Sequence, residues 1–265
     1  MTPELGWAGL TGVFGLLVGS FLNVVIYRVP RGESVVSPRS QCPSCGSFIS
    51  PRHNVPVIGW LVLRGRCHDC RTPISKRYPL VEAATGVLFA ALTWRLLALD
   101  MQWALPAYLY LAAAGIALSM IDIDLKRLPD AIVLPSYAVV AVLLTVAAAG
   151  AGDWWPLGRA AIGGTALFAF YFGLAFAYPA GMGFGDVKLA GVLGALMGYL
   201  SWSALIVSTF GAFLSGALAG IALIVTSRGG RKTAIPFGPF MIAAALVTVF
   251  AGGWLADGYM GLVNR

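Results

Sequence analysis

Two kinds of side chain in this chain can do chemistry, and each occurs in a pattern: carboxylates where long apolar runs meet, and cysteines in close pairs. The stretch Ser119 to Asp130, S-M-I-D-I-D-L-K-R-L-P-D, places three carboxylates and two cations at the end of one apolar run and before another. At a later junction, Gly183-Phe184-Gly185-Asp186 supplies a further carboxylate, followed by Lys188. Ionisable groups at membrane depth are costly and are read as functional by default. Two carboxylates from separate elements, Asp122 and Asp186, could act on one water, one as general base and the other as general acid, because like charges so close resist joint ionisation. Such a pair titrates as a unit. It would activate water against an amide carbonyl and protonate the leaving nitrogen, with no metal and no covalent intermediate.

Each carboxylate has a plainer alternative. Asp122 and Asp124 are two residues apart and cannot share a helix face, so one is expected inside the bundle and the other near water or a cation such as Lys126 or Arg127. Pro129 interrupts the path, and Asp130 is placed to cap a helix beginning at Ala131. Asp186 follows alternating glycines that let the backbone approach a neighbour closely, and it could serve as an N-cap. Other nucleophile patterns are missing: there is no G-x-S-x-G elbow and no H-E-x-x-H. Cation or proton transport competes as a use for the same aspartates.

Cys42-Pro43-Ser44-Cys45 and Cys67-His68-Asp69-Cys70 are two C-x-x-C knuckles with 21 residues between them. Four thiolates suit a closed tetrahedral Zn²⁺ site, structural because no position is left for water; the alternative is a redox pair that recurs. Gly46 and Gly65 flank the knuckles. His53 and His68 are not needed as ligands beside a complete cysteine set. Cysteines of this kind in a positive loop favour a reducing compartment.

The elements that must position these groups are apolar helices. Of the 265 residues 58% are hydrophobic and 11% charged, against about 25% charged in soluble domains, which excludes an ordinary soluble enzyme. An all-α polytopic membrane protein is expected, with about eight transmembrane helices: 7–29, 80–99, 103–121, 131–149, 158–178, 187–200, 203–226 and 235–256. The opening residues lack the basic n-region of a cleaved signal peptide, so the first run is expected to remain as a helix. Three parts follow: 1–29 as the first membrane helix, 30–79 as a small zinc-stapled loop domain too short to build much core, and 80–265 as the membrane domain that carries the aspartates. Asn23, inside the first run, suits either a neighbouring helix carbonyl or a substrate.

The net charge of +7 does not point to nucleic acid, since no basic stripe with interleaved aromatics exists. Nine of the 18 Lys and Arg lie between Arg28 and Arg77, and with an outside amino terminus 15 of the 18 fall on inner loops. That bias puts the cysteine loop and both aspartate junctions on the cytoplasmic side. Trp7, Trp103, Trp154, Trp155, Trp202 and Trp254 are expected as interfacial anchors, and the many small residues as close helix contacts.

The four-cysteine loop, D-I-D-L-K-R-L-P-D and G-M-G-F-G-D-V-K-L in this order resemble the bacterial prepilin peptidases, or type IV leader peptidases, an intramembrane aspartyl protease family. The resemblance implies that Asp122 and Asp186 are the catalytic pair and that Cys42, Cys45, Cys67 and Cys70 are the cytoplasmic-loop cysteines. It also suggests a role for Glu82 in Arg77-Tyr78-Pro79-Leu80-Val81-Glu82, in pairing with an arginine or in substrate contact. It implies cleavage of the basic leader of prepilins and pseudopilins at a Gly-Phe-type bond, at the bacterial inner membrane and in association with pilus or type II secretion assemblies. N-methylation of the new terminus with S-adenosylmethionine is implied as well, by resemblance alone. Membrane lipids are the remaining expected partner. An ion-coupled transporter using the same aspartates and a structural scaffold are the competing readings.

Overall fold

The computed structural model describes residues 3–179, 181–226 and 235–263, with side chains described as far as residue 251. Four of the cations counted above, Arg228, Arg231, Lys232 and Arg265, and the side chain of Trp254 lie outside the described residues. Nine α-helices are described: α1 Pro3–Arg28, α2 Ile58–Val62, α3 Arg77–Leu97, α4 Leu105–Leu125, α5 Asp130–Ala151, α6 Trp155–Ala177, α7 Phe184–Leu200, α8 Trp202–Val225 and α9 Gly238–Val263. Extended pairing among the described residues is confined to two isolated bridges, Gln41 with Phe48 and Arg66 with Pro73. The all-α expectation holds.

Six helices, α1, α3, α4, α5, α6 and α8, are long and apolar enough to cross a membrane, and the chain is a multi-pass membrane protein. The expected count of about eight is met by six on this measure. The difference lies in α7 and α9. At 17 residues, α7 is about 25 Å long, short of the roughly 30 Å hydrocarbon core, and the described apolar part of α9 is Gly238–Ala251.

The chain forms two compact units, one of Met1–Leu105 with Leu109–Ala117, the other of Pro106–Tyr108 with Leu118–Arg265. In the first unit, α1 and α3 run antiparallel and in close contact along a glycine seam. A Cβ at Gly15 would lie 2.8 Å from the Thr85 carbonyl, and one at Gly19 would lie 2.7 Å from the Glu82 Cα. Near one end of the seam Thr93 Oγ1 donates to Thr11 Oγ1 at 2.8 Å, and near the other Asn23 Nδ2 donates to the Tyr78 carbonyl at 3.2 Å. Asn23 thus takes the helix-carbonyl role, one of its two expected uses. The chain leaves α1 through Pro30 and Gly32, the latter at φ 70°, a left-handed conformation natural to glycine.

In the second unit α7 is central. Eleven of its residues are buried, and it packs against α5, α6, α8 and α9. Its small residues make this possible: a Cβ on Gly194 would lie 2.5 Å from the Gly163 carbonyl of α6, and one on Gly198 2.7 Å from the Arg159 carbonyl. Arg159 of α6 donates to the carbonyls of Gly198, Tyr199 and Leu200 at 3.2, 2.8 and 3.1 Å, which satisfies the open end of α7 with a cation where the helix dipole favours one. Buried Tyr108 donates to the Leu196 carbonyl at 2.7 Å.

Local signals explain the breaks. Helix α4 ends where Lys126 turns left-handed at φ 53°, and Pro129, extended at ψ 131°, leads into α5. Helix α5 ends on Gly152 at φ 70°, a glycine C-cap, and α8 begins where Ser201 Oγ accepts from the Ala204 amide at 3.0 Å. The tryptophans at positions 7, 103, 154, 155 and 202 are all exposed, as interfacial anchors would be.

The glycine contacts make a like-for-like prediction. Gly194→Ala is expected to destabilise the protein by about 1–3 kcal/mol through overpacking. Gly173→Ala in α6, with nothing within 4 Å of the added carbon, is expected to be neutral or stabilising by up to about 1 kcal/mol. Thermal unfolding of both variants in detergent compares them directly.

Candidate active site and metal centre

Asp122 lies in the last turn of α4, where its carbonyl accepts from the Lys126 amide at 2.8 Å, and its side chain is buried at 4% exposure. Asp124 is exposed. The expected divergence of the two carboxylates is present, and the inward member is Asp122. A buried carboxylate needs a donor, and here the Gly238 amide at the first turn of α9 donates to Asp122 Oδ2 at 3.1 Å. Such amides are the unsatisfied groups of a helix start and favour an anion.

Asp186 sits in the first turn of α7, its own amide bonded to the Gly183 carbonyl at 3.0 Å. Gly183 occupies the N-cap position, so Asp186 is inside the helix rather than capping it. Leu128, buried between the two helix starts, brings the junctions together. A Cβ at Gly185 would lie 3.1 Å from Leu128 Cβ, and one at Gly238 would lie 3.1 Å from Leu128 Cδ2 and 2.8 Å from Asp122 Oδ2. Leu128 thus places the α7 turn that carries Asp186 beside the amide that binds Asp122. Tyr171, Phe213 and Phe237 form a cluster with ring centroids 5.3–6.3 Å apart, giving this region an apolar wall.

One expectation needs correction. Asp130 does not cap α5: Pro129 holds the N-cap position with no side-chain cap bond, and the Asp130 carboxylate pairs with Lys188 of α7. The extended proline carries the chain into the helix, which leaves the next carboxylate in the first turn and able to reach across. Tyr137 of α5 reinforces this link by donating to the Lys188 carbonyl at 2.6 Å. Glu82, for which an arginine or substrate contact is expected, accepts from the Val57 amide at 2.7 Å, a bond that joins α3 to the cysteine loop. The sequence reading missed Gly238, although Pro236-Phe237-Gly238-Pro239 carries a signal: a glycine between prolines at a helix start.

The cysteine loop is built as two copies of one turn, 25 residues apart. In the first, the Cys42 amide donates to the Ser47 carbonyl at 2.9 Å and the Gly46 amide to the Cys42 carbonyl at 2.9 Å; in the second, Cys67 donates to Thr72 at 2.8 Å and Arg71 to Cys67 at 3.2 Å. The four sulfur atoms lie within 4.8 Å of one another, and those of Cys42 and Cys70 are 3.8 Å apart. Thiolates about 2.3 Å from a tetrahedral zinc would be about 3.8 Å apart, so the donor set fits this ion. A metal needs the deprotonated form of these thiols, and burial with the neighbouring thiols Cys70 and Cys42 raises that of Cys67. The hydroxyl and amide of Thr72 pull the Cys70 thiol down to about 6, and the amides of Cys45 and Ser44 lower that of Cys42. His68 bonds to Asp69 at 2.8 Å and stacks on His53 at 4.8 Å, and neither histidine belongs to the four-sulfur cluster.

Comparison with known proteins gives this architecture its family. Residues 13–96 match the model of the bacterial peptidase A24 N-terminal domain, and residues 109–221 match that of the type IV leader peptidase family. The chain is 34% identical to the prepilin leader peptidase/N-methyltransferase of Stutzerimonas stutzeri, across 94% of this chain and 92% of that one. It is 35% identical to the protein of the same name from Aeromonas hydrophila (95% and 93% covered) and 32% identical to that from Pseudomonas aeruginosa (94% and 92%). No solved structure matches significantly. The chain belongs to the type IV leader peptidase family, in its prepilin leader peptidase/N-methyltransferase branch. The transporter reading finds no support in these matches.

Purified protein is expected to carry about one zinc ion per chain, and Cys42→Ser or Cys67→Ser to lower that content, as elemental analysis would read. Zinc uptake by chelator-stripped protein should weaken as pH falls through about 6, where the Cys70 thiolate is protonated and lost as a ligand.

Proposed function

We propose that the protein is a membrane aspartyl endopeptidase that removes the basic leader of prepilins and pseudopilins, cutting a Gly-Phe-type bond at the cytoplasmic face of the bacterial inner membrane. The observation that carries this reading is the convergence on Leu128 of the α7 turn that bears Asp186 and of Gly238, whose amide binds Asp122, in a chain of leader-peptidase ancestry.

In this mechanism one carboxylate of the pair takes a proton from a water as its oxygen attacks the scissile carbonyl carbon. The other, protonated, donates to the reacting amide, and collapse of the tetrahedral intermediate breaks the C–N bond as the leaving nitrogen gains its proton. The Gly238 amide holds the Asp122 carboxylate in one orientation, and the Phe237 ring next to it in sequence belongs to the aromatic cluster with Tyr171 and Phe213. The cation bias of the loops supports the cytoplasmic placement. In this reading residues 80–265 carry the peptidase and pilus or type II secretion proteins supply the substrates.

Methylation of the freed amine belongs to the same proposal, with residues 30–79 contributing to it and S-adenosylmethionine supplying the methyl group. The four cysteines serve to fold that segment around zinc. The segment carries no nucleotide-binding fingerprint, so no residue is assigned to the methyl donor.

Cleavage of a synthetic leader peptide by the purified protein tests the aspartates. Asp122→Asn and Asp186→Asn are each expected to lower kcat/KM by about 10²–10⁴-fold, while exposed Asp124→Asn stays near wild type. Full cleavage by both of the first two variants would remove the assignment.

Gly238→Ala adds a methyl group 2.8 Å from Asp122 Oδ2 and is expected to lower the rate by about 10²-fold through misplacement of the carboxylate. Unchanged leader cleavage by this variant would show that the Gly238 contact does not orient the reacting group.

A further inference from the structure

The proposed reaction leaves one face of the cysteine domain without a role. On α2, Ile58, Leu61 and Val62 are 60%, 59% and 69% exposed, and at 100° per residue the three fall within about 100° of arc. The opposite arc is occupied: buried Gly59 packs on the His53 carbonyl, and Trp60 donates its indole N–H to the Ile74 carbonyl at 3.1 Å and covers Gly65 with its ring. The apolar arc therefore points away from the domain.

The same unit fixes where that arc lies. The Val57 amide, one residue before α2, donates to Glu82 Oε2 at 2.7 Å, and Glu82 is in the second turn of the membrane-crossing α3. The neighbouring end of α1 is tied to the start of α3 by the Asn23 bond to Tyr78. Helix α2 is thus anchored at the level where α1 and α3 meet the membrane boundary, with its apolar residues turned outward.

Cations follow directly. An open pocket next to α2 is lined by Leu63, Arg64, Arg66 and Arg71. In the duplicated turn Arg71 occupies the place of Gly46, and it holds φ 60° where the glycine holds 72°. Arg64 is likewise left-handed at φ 51°, a conformation that disfavours a side chain.

We propose that α2 is an interfacial helix whose apolar arc enters the boundary between headgroups and acyl chains, and that Arg64, Arg66 and Arg71 bind the phosphodiester groups of anionic phospholipids. Apolar residues on one face beside a cationic cluster are the features by which a helix lies on an anionic membrane. Charge selects the occupant: a basic leader segment would be repelled by three arginines, whereas lipid phosphates complement them. The inference does not depend on the aspartate chemistry.

The test is hydrogen exchange of residues 57–72 in the full chain, reconstituted into nanodiscs of phosphatidylcholine with or without about one-third phosphatidylglycerol. Exchange is expected to be slower by about threefold or more in the anionic discs, with the difference shrinking at high salt. The variant R64G/R66Q/R71G should abolish the lipid difference while keeping its zinc, because glycine is unstrained at both left-handed positions. I58S/L61S/V62S should speed exchange in both lipids. Equal exchange in the two lipids, a lipid effect that survives loss of the arginines, or the same protection from soluble glycerol phosphate in neutral discs would each overturn the assignment. So would zinc loss in R64G/R66Q/R71G, which would show that the arginines support the metal site instead.

Discussion

A carboxylate can be kept at an apolar helix end when something there donates to it, and the second unit of this protein is arranged around that requirement. The donor to Asp122 is the first-turn amide of α9, a group that helix geometry leaves unsatisfied. This one bond ties the end of α4 to the start of α9. Leu128 fills the space between that contact and the start of α7, and the ion pair from Asp130 to Lys188 adds α5 to the same region. Glycine at 238 and 185 follows from the closeness of these neighbours, because a side chain at either position would meet Leu128, and at 238 also the carboxylate.

Much of this was legible before any coordinates. Helical periodicity required Asp122 and Asp124 to face apart, and one is buried while the other is exposed. The knuckle spacing pointed to four converging sulfurs, and the cysteine Sγ atoms do converge. Small residues marked the close helix contacts of α1 with α3 and of α6 with α7. What was not legible depended on tertiary partners. Asp130 reads as a cap from local sequence, but the extended Pro129 and a lysine 58 positions away decide its role. The importance of Gly238 lies in what its amide meets, which no local pattern states. Length and composition also did not reveal that the short α7 is enclosed by its neighbours.

The cysteine domain shows a different economy of structure. Its two halves repeat the same hydrogen bonds and have little apolar core to hold them together, so a shared ion would join them where packing cannot. The bond from Val57 to Glu82 and the Trp60 bond to Ile74 fix the intervening helix against both α3 and the second knuckle. A segment with few buried apolar side chains is thereby given a defined place beside the membrane helices.

Arg159 grips the last carbonyls of α7, while Asp186 stands at its opposite end. Twelve residues separate Asp186 from Gly198, about 18 Å of rise along one rod. Since a packed helix shifts as a unit more readily than it stretches, the clamp sets the axial register of a carboxylate it never touches. Control of that carboxylate's height can therefore be exercised from the opposite end of the helix.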